Sequence, residues 1–241
     1  MPPDAPTIGV LGGMSATSTV EYYRELNARV NDRLGGHHAA EVVIYSVDFG
    51  EIEPLIHADR WDEASDLLAD AASRLEAAGA DFVLVATNTM HRVAPAIESA
   101  VSIPLVHIVD VTADAASAAG LDTLGVLGTA PVMEMEFYRD RFADHGVEVV
   151  VPDAAGRELV DSVIFEELTH GVFTEESRDA YRAVMDDLVD AGAEGIVLGC
   201  TEIGELVSAA DYDRVPLLDT TDLHVQRAVE LQLGDRALPD A

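Results

Sequence analysis

The chain has 241 residues, 49% of them hydrophobic, and its 45 acidic residues outnumber its 14 basic ones to give a formal net charge of −31. All the basic residues are arginines, and the lack of lysine excludes enzymes that hold pyridoxal phosphate as a Schiff base and P-loop nucleotide-binding proteins. So acidic a surface repels nucleic acid and anionic membranes, and a single cysteine excludes an internal disulfide and thiolate-rich zinc sites.

Short apolar runs rich in β-branched residues alternate with longer segments of helical periodicity. The predicted strands are 7–11, 41–46, 81–86, 105–109, 124–128, 147–151, 195–199 and 215–218. Amphipathic helices are predicted between them, for example over 58–78 and 175–191. This alternation predicts an α/β fold of parallel sheets flanked by helices, in which ligands bind beyond the carboxyl ends of the strands.

Three segments of the first half recur in the same order about 113 residues later. The matched pairs are "IGVLGGM" at 8–14 with "LGVLGTA" at 124–130, "AAGADFVLVATNTM" at 77–90 with "DAGAEGIVLGCTEI" at 190–203, and "SIPLVHIVD" at 102–110 with "RVPLLDTTD" at 214–222. Ordered recurrence indicates two pseudosymmetric lobes with an active site in the cleft between them. We expect the first lobe to comprise 1–112 plus 220–241 and the second to comprise 113–219.

The repeat places Thr87 in register with Cys200, the only cysteine, each directly after a predicted buried strand. If the lobes pack about a pseudo-twofold axis, these positions face each other and touch a ligand from both sides. Such an arrangement suits inversion of a carbon centre, because one group must remove a proton from one face while another returns a proton to the opposite face.

Several blocks of the sequence resemble the aspartate/glutamate racemase superfamily. They are "IGVLGGMSATSTVEYYRELN", "YSVDFGEIE", "TNTMHRVAPAIE", "HIVDVT", "LGTAPVMEMEFYRDRF", "IFEELTHG" and "GCTEIGELV". The resemblance implies a cofactor-independent homodimeric enzyme of two α/β lobes, with one catalytic cysteine in each lobe. Cys200 falls on the second catalytic position, whereas Thr87 falls on the first, as in a similar subgroup of broad-specificity amino-acid racemases.

The two catalytic positions differ in their chemistry. A thiol has an unperturbed pKa near 8.5, and a helix N-terminus lowers that value, so we expect Cys200 to exchange the α-proton on one face. A threonine hydroxyl is a poor base at neutral pH, so Thr87 is suited to donating a proton, orienting the substrate or holding a water. His91, one helical turn after Thr87, is a candidate for the missing acid/base function.

The expected substrate is aspartate or glutamate. In the resembled family a lysine in the helix around "IFEEL" contacts a substrate carboxylate, but here Leu159 falls on that position, with Arg157 nearby. Either Arg157 substitutes for the lysine, or neutral donors bind a broader range of amino acids. The candidate substrate-binding residues are Met14, Ser15, Asn88, Thr89, Thr129, Thr201 and Glu202. Glu202 could orient the substrate amino group or cap its own helix.

Three other functions remain open at this point: a hydantoin racemase or related isomerase, a cysteine hydrolase acting through Cys200, and a non-catalytic amino-acid sensor. No metal or cofactor is expected, and the partners are a small amino acid and a second copy of the chain, with no nucleic acid or membrane. The start "MPPDAPTIGV" lacks the features of a signal peptide, which predicts a cytoplasmic protein. The acidic composition favours adaptation to high salt, where a Debye length of about 3 Å at 1 M screens self-repulsion.

Overall fold

A computed structural model describes residues 2 and 4–239. The chain divides into two compact units: Met1–Ile108 with His224–Ala241 (the first unit), and Val109–Leu223 (the second unit). Within the described residues, each helix is either too short or too polar to cross a bilayer.

The first unit carries alternating strands and helices. In chain order they are β1 (Ile8–Gly12), α1 (Ala16–Leu34), β2 (Val42–Ser46), α2 (Phe49–His57), α3 (Trp61–Ala77), β3 (Phe82–Val85), a 3-10 helix (Thr89–Val93) and α4 (Ala94–Ala100). The strands form a parallel sheet in the order β2-β1-β3. All residues of β1 and β3 are buried, as expected of strands covered by helices on both faces.

The second unit repeats this pattern with one more strand. Its elements are α5 (Ile108–Ala119), β4 (Thr123–Gly128), α6 (Ala130–Glu134), α7 (Glu136–Asp144), β5 (Glu148–Val150), α8 (Ala154–Glu166), a 3-10 helix (Leu168–His170), α9 (Glu175–Asp190), β6 (Gly195–Gly199), α10 (Ile203–Leu206), β7 (Leu217–Asp219) and α11 (Thr220–Leu233). The first residue of α5 and the later turns of α11 belong to the first unit. The parallel strand order is β5-β4-β6-β7. The predicted α/β class is therefore confirmed.

The predicted strand over 105–109 is wrong. The chain pairs with β3 only at Leu105, through an isolated parallel bridge to Val83, and α5 begins at Ile108. Its apolar side chains are buried, and its backbone bonds to β3 are those from Val83 N–H to the Pro104 carbonyl and from Val106 N–H to the Val83 carbonyl, after which the helix begins. The equivalent segment of the second unit does form a strand, β7, beside β6.

The predicted helix over 58–78 starts late, at Trp61. Asp59 has a φ of +54°, a left-handed conformation that a continuing right-handed helix cannot contain. α3 follows α2 and leads into β3, and its first residue, Trp61, stacks on Arg92 of the 3-10 helix that follows β3. The segment after β3 also carries the candidate residues Thr87, Asn88 and Thr89.

Candidate active site

The loop after β1 is shaped by close backbone packing. Gly13 has a φ of +96°, and a side chain there would overlap the backbone of Val47. Its N–H donates to Thr19 Oγ1 at 2.7 Å, and the same hydroxyl donates to the Ser15 carbonyl at 2.8 Å. These contacts fix the backbone of the loop at the start of α1, while the predicted site residue Met14 is 7% exposed and its side chain packs in the core.

Ser15 is the N-cap of α1. Its Oγ accepts the Ser18 N–H at 3.2 Å, so the side chain predicted to contact substrate serves the helix. The first turn of this 19-residue helix presents backbone N–H groups and the positive end of the helix dipole at the carboxyl-end edge of the sheet. A substrate carboxylate is the kind of group such a helix start attracts.

Thr87 follows β3, which pairs directly with β1, so the loops holding Ser15 and Thr87 leave neighbouring strands at the same edge. Thr87 and Thr89 are half-buried and Asn88 is 5% exposed. The loops that carry the predicted site residues of the first unit therefore follow two paired strands.

His91 does not have a free ring nitrogen for acid/base chemistry. Its Nδ1 lies 2.8 Å from the Thr87 carbonyl oxygen and therefore donates, while its Nε2 accepts the Ile108 N–H at 3.2 Å. The ring is 2% exposed and fixed in one neutral tautomer by two backbone groups. The hypothesis that His91 supplies the missing acid or base is corrected accordingly: His91 positions the Thr87 backbone.

Two further buried histidines pack around His91. The His107 and His224 rings lie 4.5 and 6.0 Å from it between centroids. His224 Nε2 donates to the Val106 carbonyl at 2.8 Å, so its Nδ1 accepts the Tyr22 hydroxyl at 2.9 Å. Burial lowers the pKa of His224 to about 4, so this ring is neutral at physiological pH.

In the second unit Cys200 follows β6 and is half-buried against the hydrophobic core. Its Sγ donates a hydrogen bond to Glu202 Oε2 at 3.0 Å. Burial, and then the charge of Glu202, raise the pKa of the Cys200 thiol well above its ordinary value, and the backbone N–H groups of Thr201 and Glu202 oppose this only in part. The expectation of a lowered thiol pKa is wrong, because α10 has four residues and starts only at Ile203, too short and too distant to outweigh a buried carboxylate.

Glu202 is 7% exposed and makes no side-chain capping bond to α10, so of its two predicted roles the cap is not observed. Its carboxylate lies on the thiol instead. A carboxylate hydrogen-bonded to a thiol can receive the thiol proton and so generate the nucleophilic or basic thiolate.

The remaining residues of the second unit occupy the loop after β4, the neighbour of β6. Thr129 directly precedes α6, and the adjacent Ala130 N–H donates to Asp161 Oδ1 at 2.6 Å. Asp161 was not predicted from the sequence. Burial raises the pKa of the Tyr181 phenol, and Cys200, Asp161 and Glu167 raise it further.

Neither Leu159, at the expected lysine position, nor the nearby Arg157 has an unpaired positive charge to offer a ligand. Leu159 packs against the core of the second unit. Arg157 donates through Nε to Glu134 Oε1 at 2.9 Å and through Nη1 to the Pro152 carbonyl at 2.8 Å. The described part of the chain also holds no group of three or more His, Cys, Asp or Glu side chains placed to bind a metal ion.

Comparisons with known proteins bear on the family and the fold of the chain. The sequence model of the Asp/Glu/hydantoin racemase family matches residues 11–228. The broad-specificity amino-acid racemase RacX of Bacillus subtilis strain 168 is 26% identical over 239 residues, covering 94% of this chain and 98% of that protein.

Two solved structures share most of the fold. A candidate Asp/Glu racemase from Yersinia pestis is 48% identical with a TM-score of 0.89, covering 95% of this chain and 99% of that one. An aspartate racemase homologue from Pyrococcus horikoshii OT3 is 30% identical with a TM-score of 0.84 over the same shares of the two chains.

Proposed function

Because the chain belongs to the Asp/Glu/hydantoin racemase family, we propose that it racemises an amino acid by removing and returning the proton at Cα without a cofactor. The observation that carries this proposal is the Cys200–Glu202 hydrogen bond at the end of β6, in the repeat position that matches Thr87. We place Cys200 on one face of the substrate carbon and Thr87 on the opposite face.

Cys200 works as one half of a proton-sharing pair. In the resting state the thiol holds the proton, because its pKa is raised by burial and by Glu202. Transfer of that proton from Sγ to Glu202 Oε2 leaves a thiolate, which then takes the α-proton and becomes a thiol again. After the forward step Glu202 releases its proton to solvent. In the reverse direction Glu202 first takes up a proton from solvent, the thiol donates its own proton to the carbanion-like carbon, and Glu202 then reprotonates the resulting thiolate.

Thr87 serves the other face by holding a proton donor in place. His91 fixes its backbone carbonyl, and its hydroxyl belongs to a half-buried residue that can donate a proton or hold a water. The two enantiomers have equal free energy, so the chemical difference between threonine and cysteine changes rates and saturation but not the final mixture.

Substrate binding uses backbone groups together with neutral and charged side chains. The start of α1 is suited to the α-carboxylate, and hydrogen-bond donors in the loops after β1, β3, β4 and β6 would stabilise the negative charge that develops when the proton leaves. Glu202 and Asp161 are acidic groups suited to the substrate ammonium. Aspartate or glutamate is the proposed substrate.

The contacts of Cys200 favour a racemase over a cysteine hydrolase. A cysteine hydrolase commonly pairs its nucleophile with an imidazole that later protonates the leaving group. Here the thiol partner is a carboxylate, and of the histidines in the second unit His145 contacts Asp110 while His170 contacts Thr169.

Deuterium incorporation at Cα tests the proposal. Single-enantiomer amino acids incubated with the protein in D₂O at high salt should acquire deuterium at Cα and lose optical purity, and Cys200→Ala should abolish both. A hydantoin racemase would exchange only hydantoins, and a sensor would bind amino acids with no exchange. Full activity of Cys200→Ala would contradict the site assignment.

The proposal extends to the cellular location, the salt conditions and the oligomeric state of the enzyme. The net charge of −31 supports function at high salt, and we place the enzyme in the cytoplasm as a homodimer, as the family resemblance implies.

A further inference from the structure

Arg92 is exceptional among the arginines of this acidic chain. Twelve of the fourteen form ion pairs with Asp or Glu within the described residues, and only Arg92 and the exposed Arg139 do not. Arg92 is half-buried, so its lack of a carboxylate partner is costly in a way that the exposure of Arg139 is not.

The guanidinium group of Arg92 is both fixed and unsatisfied. Its Cζ lies 4.9 Å from the centroid of the Trp61 ring, a cation–π contact, and its buried Nε has no hydrogen-bond partner among residues 2 and 4–239. Trp61 in turn donates its Nε1–H to Asp59. Stacking on Trp61 holds the plane of the guanidinium group, whose planar fork of N–H donors matches the two oxygens of a carboxylate.

The position of Arg92 relates it to the candidate site. It lies in the 3-10 helix Thr89–Val93, five residues after Thr87, and His91 ties that turn to the Thr87 carbonyl. Trp61, the first residue of α3, stacks on Arg92 and so lies beside the same 3-10 helix. The unsatisfied donor therefore belongs to the loops that carry the proposed chemistry.

We propose that Arg92 binds the side-chain carboxylate of an acidic amino-acid substrate and so sets the preference for aspartate or glutamate; this rests on the proposed racemase function. In the second unit the arginine beside the expected lysine position, Arg157, is paired with Glu134, and the carboxylate of Glu202 lies on Cys200. The start of α1 takes the α-carboxylate, which leaves Arg92 for the distal one.

The experiment compares acidic substrates with their neutral isosteres, aspartate with asparagine and glutamate with glutamine. Arg92→Gln should raise KM for the acidic member of each pair by about 10- to 100-fold, the usual size of a lost charged hydrogen bond, and leave the neutral member unchanged. Arg92→Lys, which keeps the charge without the planar fork, should fall between. Arg139→Gln is the matched control, since it removes one positive charge outside the site and should not alter either KM.

A structural role for Arg92 would show as an equal loss on acidic and neutral substrates, or as a loss of kcat alone, and either result overturns the proposal. Calorimetric binding of L-aspartate and of succinate supplies a readout that does not need turnover. Wild-type protein that binds aspartate without exchanging its α-proton contradicts the racemase proposal alone. Arg92→Gln that binds aspartate as tightly as wild type contradicts the role of Arg92.

Discussion

Replacing Glu202 by glutamine tests whether its carboxylate governs the Cys200 thiol. Oε2 lies 3.0 Å from Sγ, and Glu202 is 7% exposed. Glutamine keeps the shape of the side chain but removes both the charge and the proton acceptor. The thiol pKa should fall because a neighbouring negative charge is gone, while racemisation should slow because no group takes the thiol proton.

The size of the effect follows from the separation. Two unit charges 3.0 Å apart interact by about 5 kcal/mol at an effective dielectric constant of about 20. Solvent reaching the half-buried thiol screens part of this, yet about 1.4 kcal/mol is enough to change the thiolate fraction tenfold. We therefore expect alkylation of Cys200 at neutral pH to accelerate at least about tenfold in Glu202→Gln, whereas racemisation falls by about 100-fold.

The assay follows iodoacetamide labelling by intact mass across pH, beside optical rotation of aspartate with the same preparation. Cys200 is the only thiol, so every adduct reports on it. Glu205→Gln is the matched control, because it removes an exposed charge from α10 without touching the thiol, and it should leave both rates unchanged. Labelling of Glu202→Gln no faster than that of wild type would refute the reasoning.

Two further predictions concern the first unit. Burial lowers the pKa of His224 to about 4 from the ordinary 6.5, so as the pH falls the unfolded chain binds a proton at this ring before the folded chain does, and the free energy of unfolding should decrease by about 3 kcal/mol between pH 6.5 and pH 4. Urea unfolding should therefore depend less steeply on pH over this window in His224→Asn than in wild type. Equal slopes would contradict a buried neutral ring. Thr87→Cys should preserve or raise deuterium exchange at Cα, because a thiol is a far stronger acid than an alcohol, and loss of exchange on both enantiomers would count against the placement of Thr87 at the second face.

Much of the fold was accessible from the sequence because its signals are local. Apolar runs of strand length and their recurrence in order predicted the parallel sheets and the duplicated topology, and the structure has strands at seven of the eight predicted places. The family and the racemase class were likewise predicted from sequence blocks and are confirmed. The failure at 105–109 arose because an apolar run bounded by turn residues reads the same whether it forms a strand or a single bridge before a helix.

The hydrogen bonds and the protonation state of each functional side chain depend on residues distant in the sequence, or on three-dimensional geometry that sequence spacing does not predict. The sequence by itself determined that Cys200 and Thr87 end equivalent strands, since strand period and repeat register are properties of neighbouring residues. Only the tertiary structure decided that the Ile108 N–H donates to Nε2 of His91 and that burial and Glu202 together raise the pKa of the Cys200 thiol. It also decided that Arg92 stacks on Trp61 and forms no ion pair with a carboxylate among the described residues. Burial and hydrogen bonding set protonation and charge pairing, and both are fixed by the packing of segments that the sequence keeps apart.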